Sequence, residues 1–296
     1  MLRRTLLASA GAMALTGAAF AADLRAPPPV ILPPPPAWTG LYVGINAGGT
    51  WSSSTTINTT TEDIFGNPGV NGGPPAGVVS AALATGSVPV NHSGFIGGGQ
   101  VGYNYQFYNS WVAGIEADIQ GVAASNNAHL MFSQGAIVSV LLDQNLSSST
   151  SGDYLGTVRG RLGFTITPTL LVYGTGGLAY GQTDSSTSIT QIIENAPAVP
   201  NHYSSFGSIS NSRVGWTAGG GGEWLFAPNW SVKVEYLYYD LGSVTYGLTP
   251  LQNFNTAGTL FTNGAPFSRA TFRGNIVRVG LNYHFNLTPP PVVAKY

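Results

Sequence analysis

The sequence predicts an all-β protein, an eight-stranded antiparallel up-and-down barrel that crosses a membrane. Three observations predict it: eight segments in which apolar and polar residues alternate, connections that are alternately short and long, and few charged side chains. Only 8% of the 296 residues are Asp, Glu, Lys or Arg, against roughly 25% in soluble domains. The chain has 14 Tyr, 13 Phe and 3 Met, a composition that favours strands over packed helices.

Residues 1–21 have the three parts of a secretory signal peptide. Arg3 and Arg4 supply the positive start, an apolar stretch follows, and an Ala-Phe-Ala cleavage motif ends at Ala21. The stretch is short and rich in Ala and Gly, which disfavours the alternative of an uncleaved membrane anchor. We therefore expect export, with the mature chain beginning at Ala22.

Three further parts follow the signal peptide. Residues 22–37 form a Pro-rich periplasmic linker, with seven prolines from Pro27 to Pro36 that favour an extended polyproline conformation. Residues 38–285 contain all the alternating segments and form the barrel. Residues 286–296 are left as a C-terminal tail.

Eight segments alternate with a period of two, long enough to cross a bilayer as tilted strands of about 9–11 residues. In the seventh, for example, Trp230, Val232 and Val234 alternate with Ser231 and Lys233. The fifth segment is the least clear, because both of its faces are apolar or Gly. The segments are residues 41–51, 95–107, 111–120, 154–164, 170–180, 213–226, 230–238 and 277–285.

The connections between segments alternate in length. Three are tight turns, at residues 108–110, 165–169 and 227–229. Four are long and rich in Ser, Thr, Asn and Gly, at residues 53–93, 125–150, 183–211 and 242–268. Short periplasmic turns and four long external loops are typical of bacterial outer-membrane barrels.

Aromatic side chains cluster at the strand ends nearest the short turns and the termini. An outer-membrane barrel carries a girdle of aromatic residues at this level, where the lipid headgroups begin. The predicted girdle comprises Trp38, Phe107, Trp111, Phe164, Phe226, Trp230 and Phe285.

The positions of the charged residues indicate which face of the barrel is inside. Apart from Asp153, Arg213, Arg269 and Arg273 near the loop ends, the strand charges share one face. Four acids and four bases there predict a neutral interior closed by salt bridges, because buried charges must be paired. An open pore that uses these charges for selectivity is the alternative. The predicted interior charges are Glu116, Asp118, Arg159, Arg161, Glu223, Lys233, Glu235 and Arg278.

Four stretches of the chain carry a resemblance to a known family. Its most specific pieces are Glu235-Tyr236-x-Tyr238 and Val279-Gly280-Leu281-Asn282-Tyr283-x-Phe285. The chain resembles the small outer-membrane immunogenic proteins, often grouped as porin-family proteins, which share the barrel plan of outer-membrane protein A. The stretches are residues 156–164, 173–181, 233–242 and 277–285.

The resemblance implies a surface-exposed, antigenic, structural barrel of Gram-negative bacteria. Haem binding and pore formation are attributed to some members of the family. The terminal segment also resembles the aromatic signal read by the barrel assembly machinery, which implies that role for Tyr283 and Phe285. Because eleven residues follow Phe285 here, Tyr296 is the alternative position of the signal.

The sequence gives no support for a nucleotide, metal or catalytic site. Gly97, Gly99 and Gly102 match G-x-G-x-x-G, but an alternating strand follows in place of the helix of a dinucleotide site. The absence of Cys excludes thiolate metal sites. No G-x-S-x-G motif occurs, and no His lies at a predicted lipid-facing position, so we expect no catalytic residue, cofactor or metal.

The sequence therefore predicts a structural, surface-exposed barrel with a closed or narrow lumen. A small diffusion porin is the first alternative, and a surface receptor that captures a ligand such as haem is the second. The expected partners are outer-membrane lipids, lipopolysaccharide and the barrel assembly machinery. The near-neutral charge of −1 gives no basic patch for nucleic acid.

Overall fold

Antiparallel strands account for most of the chain that the computed structural model describes, residues 37–53, 56–62, 82–91, 93–137, 140–194, 202–254 and 260–285. Eleven strands lie in these ranges, and no helix there has the length and apolarity that a membrane-spanning helix needs. The strands are β1 Gly40–Ser52, β2 Thr56–Glu62, β3 Gly86–Pro89, β4 Ser93–Phe107, β5 Trp111–Ile137, β6 Val140–Thr167, β7 Leu170–Glu194, β8 His202–Ala227, β9 Trp230–Gly247, β10 Leu251–Phe254 and β11 Leu260–Phe285.

The predicted signal peptide, nearly all of the predicted linker and the predicted tail lie outside the described residues. Cleavage before Ala22 and the alternative assembly signal at Tyr296 therefore remain predictions. The described residues all belong to one compact unit, Pro36–Tyr296.

Eight long strands close into a ring. Its order is β1, β4, β5, β6, β7, β8, β9, β11 and back to β1, and every neighbouring pair is antiparallel. The closing pair runs from Leu41 opposite Phe285 to Ser52 opposite Gly274. Because the ring is closed, its wall has no free strand edge.

The antiparallel up-and-down barrel is confirmed, but the described residues contain eleven strands, and strands occupy much of the four predicted long loops. Three short strands, β2, β3 and β10, lie in segments predicted to be loops, and β5, β6, β7, β8 and β11 run for 27, 28, 25, 26 and 26 residues. Small hydroxyl residues continue the ladders there: Ser148 bonds Thr187 at 3.0 Å and Ser149 bonds Ser186 at 2.7 Å. The Ser- and Thr-rich composition that suggested loops therefore forms paired strands.

The three short turns lie where the sequence places them. Phe107 pairs with Trp111 across the first. In it, Tyr108 and Asn109 adopt positive φ angles of 47° and 64°, the left-handed region that tight hairpin turns use. The other two turns lie at residues 168–169 and 228–229.

The outer wall between the two barrel ends is apolar, and the alternation predicts its facing correctly. Val214, Ile45 and Ile115 are 70%, 66% and 66% exposed on this surface. The ambiguous fifth segment also has distinct faces, because Val172 and Leu178 point outward while Leu171, Tyr173, Thr175 and Ala179 are buried. An exposed apolar belt around a closed barrel is suited to lipid.

The barrel interior holds two apolar clusters. The turn-end cluster, near the short turns, consists of Trp38, Val112, Leu171, Tyr173 and Leu225. The loop-end cluster is larger and continues into the strand extensions beyond the apolar belt. Its buried members are Ile57, Ala84, Val88, Val90, Ile96, Leu146, Leu155, Ala179, Ile189, Tyr203, Leu237, Tyr239, Leu241, Tyr246, Leu248, Leu251, Ala270, Phe272 and Ile276.

The assignment of Trp38 to the outer aromatic girdle is wrong. Its side chain is fully buried and packs edge-on against His284, with ring centroids 5.9 Å apart. The indole N–H donates to the Pro168 carbonyl at 3.1 Å, and the backbone N–H donates to Gln106 at 3.2 Å. Because Trp38 precedes β1, the strand alternation does not govern its direction, and the ring covers the turn end of the lumen.

The apolar belt yields a stability prediction for two outward-facing positions of β6. Val158→Arg, in the middle of the belt, is expected to lower the free energy of unfolding by about 2–4 kcal/mol, the cost of a cation at the bilayer midplane. The matched change Asn145→Arg, on the extension, is expected to cost under about 0.5 kcal/mol. Urea unfolding of protein refolded into phospholipid vesicles measures both, and equal costs would contradict the position of the belt.

Candidate functional site

All eight charged residues predicted for the interior lie between the two apolar clusters. Each is at most 4% exposed, and together their side chains form one connected network of ion pairs. They come from five strands, namely β5, β6, β8, β9 and β11. The structure therefore brings the predicted set together in one place.

Arg159 forms ion pairs with three carboxylates of the network. Its Nη2 atom lies 2.5 Å from Glu116 and 2.9 Å from Asp118, while its Nη1 atom lies 2.9 Å from Glu235. Glu116 and Asp118 lie on β5, the strand next to β6 in the ring, whereas Glu235 lies on β9, across the lumen. One guanidinium group, with donors in a rigid fork, thus joins three carboxylates.

Lys233 and Arg278 neutralise the same carboxylates from the opposite wall. The Lys233 ammonium donates to both oxygens of Glu116 at 2.7 and 2.8 Å. Arg278 Nη2 lies 2.6 Å from Glu235 and 2.9 Å from Asp118. Each carboxylate in this layer therefore faces more than one cation, which offsets its desolvation.

Arg161 and Glu223 form a second layer nearer the short turns, with 2.7 Å between Nη2 and Oε2. The Arg161 guanidinium stacks 3.9 Å from the centre of the Tyr173 ring, a cation–π contact. Tyr42 links the layers: its hydroxyl accepts from Arg161 at 3.0 Å and donates to Glu116 at 2.6 Å. Gly102 makes this possible, because a Cβ atom there would overlap the Tyr42 ring.

Neutral side chains satisfy much of the remaining hydrogen-bonding capacity. Thr157 and Gln120 donate to Asp118 at 2.7 and 2.9 Å. Asn282 donates to Glu223 at 2.8 Å and accepts from Gln100. These residues and Tyr42 are absent from the predicted site. Their positions in the sequence could have identified them, because they alternate along the strands in step with the charged residues and therefore face inward.

Ser231, His284 and Glu223 meet at the turn end in a grouping that resembles a hydrolase triad. The Ser231 hydroxyl lies 2.8 Å from His284 Nε2, but the same nitrogen is 3.3 Å from Glu223. A triad uses one ring nitrogen for the nucleophile and the other for the acid. The Ser231 hydroxyl also donates directly to Glu223 at 2.6 Å, and all three side chains are buried. The geometry is that of a hydrogen-bonded filler of the lumen.

The other predicted residues lie at the turn end of the outer wall. Trp111, Phe164, Phe226, Trp230 and Phe285 are 38–49% exposed, and Phe107 is half-buried. Edge-to-face ring contacts join Trp111 to Phe164 and Tyr283 to both Trp230 and Phe285. Tyr283 and Phe285 occupy the last turn-end positions of β11.

The described ranges contain no group of three His, Asp or Glu side chains placed to hold a metal ion. His202 begins β8 and is exposed, His284 is buried among polar partners, and His92 lies outside the described residues.

A closed antiparallel barrel with an apolar outer belt and a paired polar interior defines the class of outer-membrane β-barrel proteins. The chain belongs to the outer membrane protein beta-barrel domain family, whose pattern matches residues 7–285. The resemblance drawn from the sequence is thereby confirmed, and the protein is one of the bacterial outer membrane.

Relatives agree with this membership. The chain is 34% identical over 290 residues to the 31 kDa outer-membrane immunogenic protein of Brucella melitensis, covering 96% of this chain and 100% of that protein. The same values hold for the protein of that name from Brucella suis. Among solved structures, the outer membrane protein OprG of Pseudomonas aeruginosa is 12% identical and covers 83% of this chain and 96% of its own, with a TM-score of 0.38.

The ion pair between Arg161 and Glu223 is suited to a double-mutant cycle. Arg161→Met or Glu223→Gln alone is expected to lower stability by about 3–5 kcal/mol, because each leaves a buried charge without its partner. The double variant is expected to recover part of that cost. Urea unfolding of the refolded proteins measures the cycle.

Asp153→Asn serves as the control, since this exposed carboxylate lies outside the network; a change within about 0.5 kcal/mol is expected. Strictly additive losses for Arg161 and Glu223 would contradict the pairing.

Proposed function

We propose that the protein is a structural, surface-exposed barrel with a closed lumen. Its short turns face the periplasm and its strand extensions project from the cell. The observation that carries the proposal is the order of layers inside the ring: the turn-end cluster, then the paired charges, then the loop-end cluster. A permeant ion would have to cross two apolar layers and break an ion-pair network between them.

The pairing of the charges supports closure over a selective pore. A charge that selects ions must face water, whereas Arg159, Lys233, Glu235 and Arg278 are each at most 1% exposed. A cavity in the loop-end half measures about 50 Å³ and is lined in part by Ile96, Leu155 and Phe272. This is room for very few water molecules.

The apolar belt and the strand extensions of the barrel have separate roles. Outer-membrane lipids and lipopolysaccharide cover the apolar belt, and Tyr283 and Phe285 form the signal for the barrel assembly machinery. The strand extensions present the surface that other molecules meet. No catalytic role is proposed, because the Ser231, His284 and Glu223 grouping lacks triad geometry and is sealed beneath Trp38.

Planar bilayers test the closed lumen directly. Wild-type protein is expected to give no steady conductance. Arg159→Ala is expected to destabilise the barrel by about 3–5 kcal/mol, because three carboxylates lose their shared cation. In a pore, the same substitution would alter ion selectivity with little effect on melting. Large, steady wild-type currents together with unchanged melting of Arg159→Ala would overturn the proposal in favour of a diffusion porin.

Single cysteines test the orientation, and the absence of native Cys makes the labelling unambiguous. Ser208→Cys lies on an extension and Thr167→Cys beside a short turn, and both positions are exposed. A membrane-impermeant maleimide is expected to label Ser208→Cys in intact cells, and Thr167→Cys only after the outer membrane is permeabilised. The reverse pattern would refute the proposed orientation.

A further inference from the structure

The cations of the described chain divide into two groups. Seven Lys and Arg residues lie in the described ranges, and four of them belong to the interior network. The other three are Arg213, Arg269 and Arg273. Among the described residues, none of these three has a carboxylate within ion-pair distance, although Asp240 lies opposite Arg273 in the β9–β11 ladder.

Two of these arginines converge on one residue of the strand between them. Arg213, on β8, donates to the Ser243 carbonyl at 3.0 Å and to the Leu241 carbonyl at 2.9 Å. Arg269, on β11, donates to the Ser243 hydroxyl from Nη2 at 2.8 Å and from Nε at 3.2 Å. Two guanidinium groups thus meet at Ser243 of β9, where their like charges repel unless an anion joins them.

The third arginine extends the patch toward the membrane. Arg273 lies on the same outward face of β11 as Arg269 and donates to the Ser53 carbonyl at 3.1 Å. The nearest carboxylate along the strands is that of Asp240, opposite Arg273. It accepts the Gly242 N–H at 2.7 Å, in a turn where Gly242 has a φ of 77°.

The basic patch, defined by Arg269 and Arg273 on the outward face of β11, lies just beyond the apolar belt, and Arg213 reaches Ser243 beside it from an inward-facing position of β8. Directly toward the membrane, the rings of Trp216 and Tyr238 pack with centroids 5.3 Å apart, as in an interfacial aromatic pair. From Trp230 to Ser243, β9 rises about 30 Å along the barrel axis at the usual strand rise and tilt, against about 25 Å for the apolar band. The patch is therefore at headgroup level.

We infer that the basic patch binds the phosphate groups of lipopolysaccharide in the outer leaflet. The inference rests on the proposed orientation, which places this end of the barrel outside. Guanidinium groups match phosphate geometry with paired donors, and the two on the outward face of β11 complement an anionic headgroup at the lipid boundary. Continuity with the lipid-covered belt favours a phosphate carried by a lipid over one free in solution.

A binding assay tests the inference on the full refolded protein in detergent micelles. The probe is bisphosphoryl lipid A, and binding is followed by native mass spectrometry over a concentration series. Arg269→Gln with Arg273→Gln removes two charges while keeping hydrogen-bonding capacity. Arg213 is left intact, because it caps backbone carbonyls beyond the last β8–β9 pair, Trp216 and Asp240.

The double variant is expected to bind the probe about tenfold more weakly than wild type, from the loss of charge-assisted hydrogen bonds. Wild type is expected to bind bisphosphoryl lipid A about tenfold more tightly than dephosphorylated lipid A, for the same reason. Equal affinity of wild type and variant, or of the two lipids for wild type, would overturn the inference. Competition by equimolar inorganic pyrophosphate would also overturn it, by showing a site for a free anion.

A control variant with the same net charge as wild type distinguishes binding at the basic patch from general electrostatic attraction. Adding Ala123→Arg and Ser151→Arg to the double variant restores the net charge on β5 and β6, three or more strands from β11 in the ring, at exposed loop-end positions. This variant is expected to stay weak, and full recovery would overturn the inference. Absence of lipid A binding by the wild-type protein, with normal Ser208→Cys labelling and a closed lumen, would reject the patch alone, whereas reversed labelling would reject the proposed function.

Discussion

One requirement underlies the rest of this structure: every charge buried inside the barrel must be paired. The ion pairs cross the lumen between strands far apart in the ring, as Arg159 of β6 to Glu235 of β9 and Arg278 of β11 to Asp118 of β5. These contacts exist only when the ring is closed in its native register. A shift of one residue along any strand would turn its charges toward lipid. Closure, register and interior packing are therefore one coupled condition.

The two apolar clusters depend on the same condition. Apolar side chains cover both ends of the charged layer, Trp38 and its neighbours on one side and the loop-end cluster on the other. Tyr42 and Tyr173 link apolar packing to the charged layer. The ring of each contacts apolar or cationic neighbours, and its hydroxyl donates a hydrogen bond to a carboxylate. The network and its apolar covers therefore stabilise each other.

Strand facing and the set of interior charges could be predicted from the sequence, because a period of two distinguishes the faces wherever one of them carries charges. The ion-pair partners could not be predicted, because whether Arg159 meets Glu116 or Glu223 depends on strand register and stagger, which the alternation does not encode. Trp38 was misplaced because it stands outside any alternating segment. The loops were misjudged because Ser- and Thr-rich composition suits turns and hydroxyl-bonded ladders equally, and only the partner strand decides between them.

Stability alone does not explain why the interior is charged. Buried ion pairs can often be replaced by apolar residues of similar volume without loss of stability. In a membrane barrel, however, an apolar inner face would resemble the outer one, and either could then turn toward lipid. Charges at Glu116, Asp118, Lys233 and Glu235 make the wrong facing of β5 or β9 prohibitively costly. The network thus specifies which face is inside, and the other arginines of the described residues lie at the loop-end rim, where the phosphates of the proposed lipid site would meet them.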